Sequence, residues 1–251
     1  IRDSMTTIGA TDTRSIKLDK FSISDYKLDF GLQYTYKLNK KNTINIGAVY
    51  TLGRTLHGDA YKYHQTGAES NGSIYVQSQT GDTIPNPFKM PHTFGIGLTY
   101  VYDNRLTIGV DYTLQKWNTA DLAWSKFNKE SVEMNSRTKI AFGAEFVPSY
   151  ISHNYLKRIR YRMGAYYSSP YNKVSYTSPD TGTTSFQDGA REYGVSIGFG
   201  LPMFQSKSML NISGQYIKVS PKFKGLMEEN YLRINIGLTF NERWFMKWKV
   251  D

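Results

Sequence analysis

Strict alternation of apolar and polar residues recurs along this chain and constrains its fold more than any other feature. In residues 26–38, seven apolar side chains occupy every second position, and the residues between them are polar, charged or glycine. The seven are Tyr26, Leu28, Phe30, Leu32, Tyr34, Tyr36 and Leu38. A helix repeats a face about every 3.6 residues, whereas a strand alternates its faces at every residue. The pattern therefore predicts a strand with one apolar and one polar face.

The same alternation recurs in eight further segments. They are residues 44–52, 94–102, 106–114, 140–146, 160–167, 193–201, 210–216 and 232–240. Tilted strands of roughly ten residues cross a hydrocarbon layer of about 25 Å, and they expose only alternate side chains to lipid. We therefore expect an all-β protein, a transmembrane antiparallel β-barrel with about nine strands in this chain. No window approaches the roughly 18 consecutive apolar residues of a spanning helix.

The connections between these segments alternate in length. The shorter ones are residues 39–42, 103–104, 148–159 and 202–208, and the longer ones are residues 57–90, 118–136, 168–189 and 218–229. Outer-membrane barrels place short turns in the periplasm and long loops outside. This rule predicts an extracellular loop segment at residues 1–24, followed by barrel strands over residues 25–251 with a periplasmic C-terminus.

The direction of the first strand bears on the size of the barrel. It runs inward, whereas a complete barrel of this kind has an even number of strands and both termini inside. We therefore expect an odd number of strands before residue 1, so that the chain is the C-terminal part of a larger barrel.

Composition narrows the surroundings of the chain. The formal net charge is +10, and the cations are spread over strands and loops rather than gathered in one patch. This distribution argues against a nucleic-acid partner, although charge alone does not choose among anionic neighbours. Together with the barrel pattern, it leads us to expect outer-membrane lipid and lipopolysaccharide as neighbours. There is no cysteine, so thiolate chemistry is excluded. The predicted location is the outer membrane of a Gram-negative bacterium.

Candidate site residues lie at the polar positions of the predicted strands. Lys139, Arg160, Arg162 and Arg233 would face the lumen, where they could hold a ligand carboxylate. The alternative is that they pair with lumen carboxylates and have no ligand. The four histidines lack metal-ligand spacing, and the strand glycines are not followed by a helix. We therefore expect no metal, no cofactor and no enzymatic activity.

Two neighbouring segments carry a resemblance to a known family. Residues 91–100 read Pro-His-Thr-Phe-Gly-Ile-Gly-Leu-Thr-Tyr, and residues 104–112 read Asn-Arg-Leu-Thr-Ile-Gly-Val-Asp-Tyr, with Trp117 beyond them. Together with residues 193–202 and 231–245, they resemble the C-terminal part of FadL/TodX-type outer-membrane transporters. The resemblance implies a fourteen-stranded barrel with a small plug. Nine of its strands would lie in this chain, and five would precede residue 1. It also implies passive uptake of hydrophobic small molecules such as long-chain fatty acids.

Two other functions fit the same pattern. The chain could be a non-transport structural barrel, a secretion- or assembly-associated subunit with protein partners in an outer-membrane complex. It could also be an open polar porin, although the glycines on the polar face favour a narrow lumen over an open one.

Overall fold

The computed structural model describes residues 2–8, 13–70, 73–119, 133–177, 184–203, 208–221 and 227–240. Within them, strands dominate, with one short helix, α1 (Tyr155–Arg158), and a 3-10 turn at Trp117–Thr119. The predicted all-β class is confirmed. None of the described helices is long and apolar enough to cross a membrane.

The described chain divides into two compact units. The larger, which we call the nine-stranded unit, is built on one sheet. Its strands are β3 (Asp29–Lys37), β4 (Asn42–Thr51), β7 (Thr93–Tyr102), β8 (Leu106–Gln115), β9 (Arg137–Phe146), β10 (Arg160–Ser168), β13 (Ala190–Pro202), β14 (Met209–Pro221) and β15 (Glu229–Thr239). They are neighbours in this chain order, and each coincides with one of the predicted segments. Within the described residues the sheet is open, because β3 and β15 are its edge strands.

One face of this sheet is apolar and exposed. The register places apolar residues opposite each other from β7 to β15, in rows that run across the strands. One such row is Leu98, Val110, Phe142, Ala165, Val195, Tyr216 and Leu232. Leu232 is 76% exposed and Ile96, in the next row, is 62% exposed. An apolar surface of this extent is unfavourable in water, so it requires an apolar neighbour.

Two short turns have the chemistry that their sequences predict. Asp103 and Asn104 have φ values of 49° and 54°, and the Arg105 N–H donates to the Tyr102 carbonyl at 2.8 Å. Positive φ at both central residues is characteristic of the tight hairpin turns that favour Asn, Asp and Gly. In the turn before β4, the side-chain oxygen of Asn39 accepts the backbone N–H groups of Lys41 and Asn42, each at 2.9 Å.

The smaller unit contains a four-stranded sheet in the order β1-β2-β5-β6. Its strands are β1 (Arg2–Ile8), β2 (Thr13–Ile23), β5 (Gly58–Ser70) and β6 (Ser73–Pro85). Ala60 and Ile84 face each other in the register and are buried, and the rings of Phe21 and Phe88 lie 5.5 Å apart. A second small sheet, β11 (Lys173–Thr177) with β12 (Thr184–Asp188), belongs to the nine-stranded unit.

These six additional strands lie in segments that the sequence pattern treated as connections: residues 1–24, 57–90 and 168–189. The reason is visible in β6, where Gln77, Gln79 and Asp82 interrupt any apolar alternation. Backbone pairing holds such strands together without a continuous apolar face. The extracellular location of residues 1–24 stays a prediction.

Candidate functional site

The face opposite the apolar one, which we call the polar face, contains two clusters of charged side chains. The first is centred on Glu145 in β9. Arg162 donates through Nε to one Glu145 oxygen at 2.6 Å, and Arg160 donates to the other at 3.1 Å. Arg162 also reaches the Asn211 side-chain oxygen at 2.8 Å. The cluster therefore ties β9, β10 and β14 together through charge-assisted hydrogen bonds.

The second cluster is centred on Glu192 in β13. Its carboxylate accepts a hydrogen bond from the Tyr166 hydroxyl and lies 3.8 Å from the Arg137 guanidinium. Arg137 donates to the buried Ser168 hydroxyl at 2.7 Å. Lys139 Nζ lies 4.6 Å from the centre of the Tyr166 ring, a cation–π contact. Tyr166 thus contacts the Glu192 carboxylate through its hydroxyl and the Lys139 ammonium group through the face of its ring.

A row of small residues separates the two clusters. The register places Gly109, Gly143 and Gly164 side by side, with Ser196 next in the row. Beyond Ser196 the row continues through Gln215 to Arg233 on β15. The polar face therefore combines ion-paired patches with a strip that, from β8 to β13, has no side chain larger than that of serine.

The structure separates the four predicted ligand-binding residues. Arg160 and Arg162 share Glu145, Lys139 belongs to the Glu192 cluster, and Arg233 lies opposite Gln215. The ion pairs of Arg160 and Arg162 with Glu145 are those expected of the alternative in which the cations pair with lumen carboxylates. Lys139 instead contacts the ring of Tyr166. Binding of a ligand carboxylate by the four residues stays a prediction.

Sequence reasoning did not single out Tyr166 or Asn211. Both occupy polar-face positions of alternating strands, so the parity of Arg160 and Arg162 could have identified Tyr166. No local signal pairs Asn211 with Arg162, because they are 49 residues apart in the chain. Among the described residues, no group of three or more His, Asp or Glu side chains could hold a metal ion.

A separate cluster in the smaller unit is centred on Asp25, just after β2. Its carboxylate accepts the His57 backbone N–H at 2.9 Å and the Tyr26 backbone N–H at 2.8 Å. These hydrogen bonds lower the pKa of Asp25 to about 2, with smaller contributions from the His57 ring and Arg54. The side chain is 5% exposed although the backbone at this position is accessible. Arg54 also lies 4.1 Å over the Tyr26 ring.

The fold and its two faces define a class: a protein whose large antiparallel sheet has one apolar, exposed face and one face of paired charges. The BamG family model matches residues 2–251, so the chain belongs to the BamG family. BamG is an outer-membrane family, and the predicted outer-membrane location is confirmed. Neither a curated protein nor a solved structure matches the chain.

The family match corrects two predictions. The resemblance to FadL/TodX-type transporters was wrong, because BamG is a distinct outer-membrane family. Uptake of hydrophobic molecules such as fatty acids, which rested on it, was also wrong. The physical reason is that residues 91–112 encode a generic hairpin. Alternating Gly, Thr and apolar residues around a turn at Asp103 and Asn104 suit any strand pair with one lipid-compatible face.

Proposed function

We propose that this chain is a non-transport subunit of an outer-membrane complex that assembles other outer-membrane proteins. Membership of the BamG family over residues 2–251 carries the proposal, because that family points to an assembly-associated subunit. The subunit would act through its protein partners and its membrane anchor, without catalysing a reaction of its own.

We further propose that the nine-stranded unit forms part of a closed transmembrane barrel. The exposed apolar face suits contact with lipid, and the paired charges on the polar face suit a lumen. Backbone groups along β3 and β15 would be unsatisfied in hydrocarbon, at several kcal/mol each. Further strands of the same protein would pair with both edges and remove this cost.

This barrel would contact several kinds of neighbour. Outer-membrane lipid would surround its apolar face, and lipopolysaccharide would surround the outer end of its strands. Protein partners in the complex would bind the surfaces that remain outside the lipid. The proposal therefore predicts stable association with proteins and no dependence on a small-molecule cargo.

Depletion of the protein tests this function. An affinity-tagged copy should co-purify stoichiometrically with other outer-membrane assembly components after mild detergent extraction. Depletion should lower the amount of several unrelated outer-membrane proteins in their folded, heat-modifiable form, and a plasmid copy should restore them. Uptake of labelled fatty acid, normalised to the remaining outer-membrane protein, should not change. Normal assembly of other barrels after full depletion would contradict the proposal.

A further inference from the structure

Three short turns at one end of the nine-stranded unit are joined by hydrogen bonds. They are residues 39–42, 103–105 and 147–159, which we call the turn platform. The Asp103 N–H donates to the Lys41 carbonyl and the Val147 N–H to the Arg105 carbonyl, each at 2.7 Å. The Tyr150 hydroxyl also donates to the Asn104 carbonyl. These bonds connect three successive hairpins, so the platform behaves as one surface rather than as separate loops.

The platform is strongly cationic. The structure describes every residue of these three turns, and they contain five Lys and Arg side chains against the single carboxylate of Asp103. The five are Lys40, Lys41, Arg105, Lys157 and Arg158. Asp103 lies 3.5 Å from Arg105, so one of the five is already partly neutralised. Lys40, Lys41 and Lys157 are exposed.

The same surface carries exposed apolar side chains in the third turn. Ile151 is 92% exposed and Leu156, in helix α1, is 62% exposed. The backbone around them is fixed, because Asn154 caps α1 and the Ser149 N–H donates to the Lys157 carbonyl at 2.8 Å. Exposed apolar residues that are rimmed by polar and charged ones mark surfaces that contact a protein or a membrane.

We propose that the turn platform docks an acidic surface of a protein partner, with Ile151 and Leu156 inserted into an apolar patch within it. This inference rests on the proposed function, since the partner would be another subunit of the complex. The platform spans the ends of six strands, from β3 to β10, or about 24 Å at roughly 4.8 Å per strand. That width suits a standard protein interface of about 800 Å² per partner.

Lipid headgroups would use this surface less well. A bilayer surrounds the outside of a barrel and meets only the rim of its turns. Lys40 and Lys41 lie in one hairpin and Lys157 in another, and the hydrogen bonds between the turns hold these hairpins together. A folded acidic protein can contact all three cations at once.

Site-specific photo-crosslinking in intact cells tests the proposal. A photo-reactive phenylalanine analogue replaces Ile151 in the otherwise unchanged full-length protein, and as a control it replaces Met227, which is 83% exposed. Position 151 should form one protein adduct whose crosslinked peptide lies in a Glu- and Asp-rich surface. Lys40→Glu with Lys41→Glu should lower the yield about tenfold, because reversed charges repel that surface. Lys20→Glu with Lys89→Glu, a matched double reversal outside the platform, should leave it unchanged.

A reciprocal exchange makes the test specific. Changing two acidic residues of the crosslinked surface to Lys should restore the yield with the Lys40→Glu, Lys41→Glu variant. Adducts to lipid alone, an equal yield of the same adduct from position 227, or a yield insensitive to Lys40 and Lys41 would each overturn the proposal. If co-purification and the depletion effect persist in those cases, only the docking inference fails. Loss of both would remove the proposed function as well.

Discussion

The ring of Tyr166 occupies the space above Gly194 on the polar face. A Cβ atom at position 194 would overlap Cε1 and Cζ of that ring. The ring has little freedom to move away, because its hydroxyl donates to Glu192 and Lys139 lies over its face. Glycine is therefore required at this position because there is no space for a Cβ atom, and not because the backbone adopts a positive φ angle.

The Gly194→Ala change should destabilise the folded protein by about 1–3 kcal/mol, the usual cost of overpacking. Thermal unfolding in detergent, followed by the gel shift of heat-modifiable protein, measures the effect. Gly143→Ala is the matched control, because a Cβ there meets no heavy atom within 4 Å. Equal midpoints for the two variants would contradict the proposed role of Gly194.

Asp25 should make the smaller unit sensitive to acid. Its pKa is lowered to about 2 in the folded protein from an ordinary value of 3.8. Its stabilising effect is therefore fully present above pH about 4 and is lost as the pH falls through about 2. Wild-type protein should resist pepsin cleavage in residues 24–28 and 52–57 at pH 4 and become sensitive near pH 2.

The Asp25→Asn variant should already be cleaved in these residues at pH 4, because a neutral amide cannot replace the carboxylate that accepts both backbone N–H groups. Asp82→Asn provides the control, since Asp82 is exposed on β6. Cleavage of wild type and Asp25→Asn at the same rate throughout this pH range would show that the carboxylate does not hold the segment.

Among the elements, the turn at Asp103 and Asn104 offers a direct test of local sequence chemistry. Both residues have positive φ, which costs a β-branched residue roughly 1–2 kcal/mol. Asn104→Val should therefore lower stability by about that amount, whereas Asn104→Gly should preserve it. Unfolding midpoints of the two variants, compared in the same detergent, measure the difference. A Val variant as stable as the Gly variant would mean that the hairpin does not need this turn geometry.

The sequence predicts the strands of the nine-stranded unit because each has one apolar face, as residues 94–102 and 106–114 illustrate. It fails for β5 and β6, whose sequences do not alternate regularly between apolar and polar residues and whose pairing is held by backbone hydrogen bonds. The candidate site could likewise be predicted only in part. Parity places Arg160, Arg162 and Glu145 on one face, but only the register of β9 with β10 brings Arg162 opposite Glu145.

The function could not be predicted from the alternation of apolar and polar residues. The hairpin at residues 91–112 is common to barrels with unrelated activities, so its resemblance to transporters did not identify a family. The cationic turn platform was not predicted either, because its charges lie in three turns that are separated by about 40–60 residues in the chain. Only hydrogen bonds such as that between Asp103 and Lys41 join them into one surface.

At the scale of the whole molecule, the two edges of the nine-stranded sheet decide how it can exist in a membrane. Along β15 about half of the backbone N–H groups pair with β14, and the others point away from it, as in any edge strand. In hydrocarbon those outward groups cannot remain unpaired. If further strands close the barrel, the edge strands should exchange amide hydrogen as slowly as the central strand β9.

Hydrogen–deuterium exchange on the full-length protein in native outer membranes measures this. Peptides from β3, β15 and β9 should show similar slow exchange over hours, whereas β6, an edge strand of the smaller unit, should exchange half of its amides within minutes. The comparison with β6 shows how fast an edge strand of this protein exchanges when no described strand pairs with its outer side. Fast exchange of alternate amides in β3 or β15, with β9 still protected, would mean that the sheet stays open at that edge and that the closed-barrel proposal is wrong.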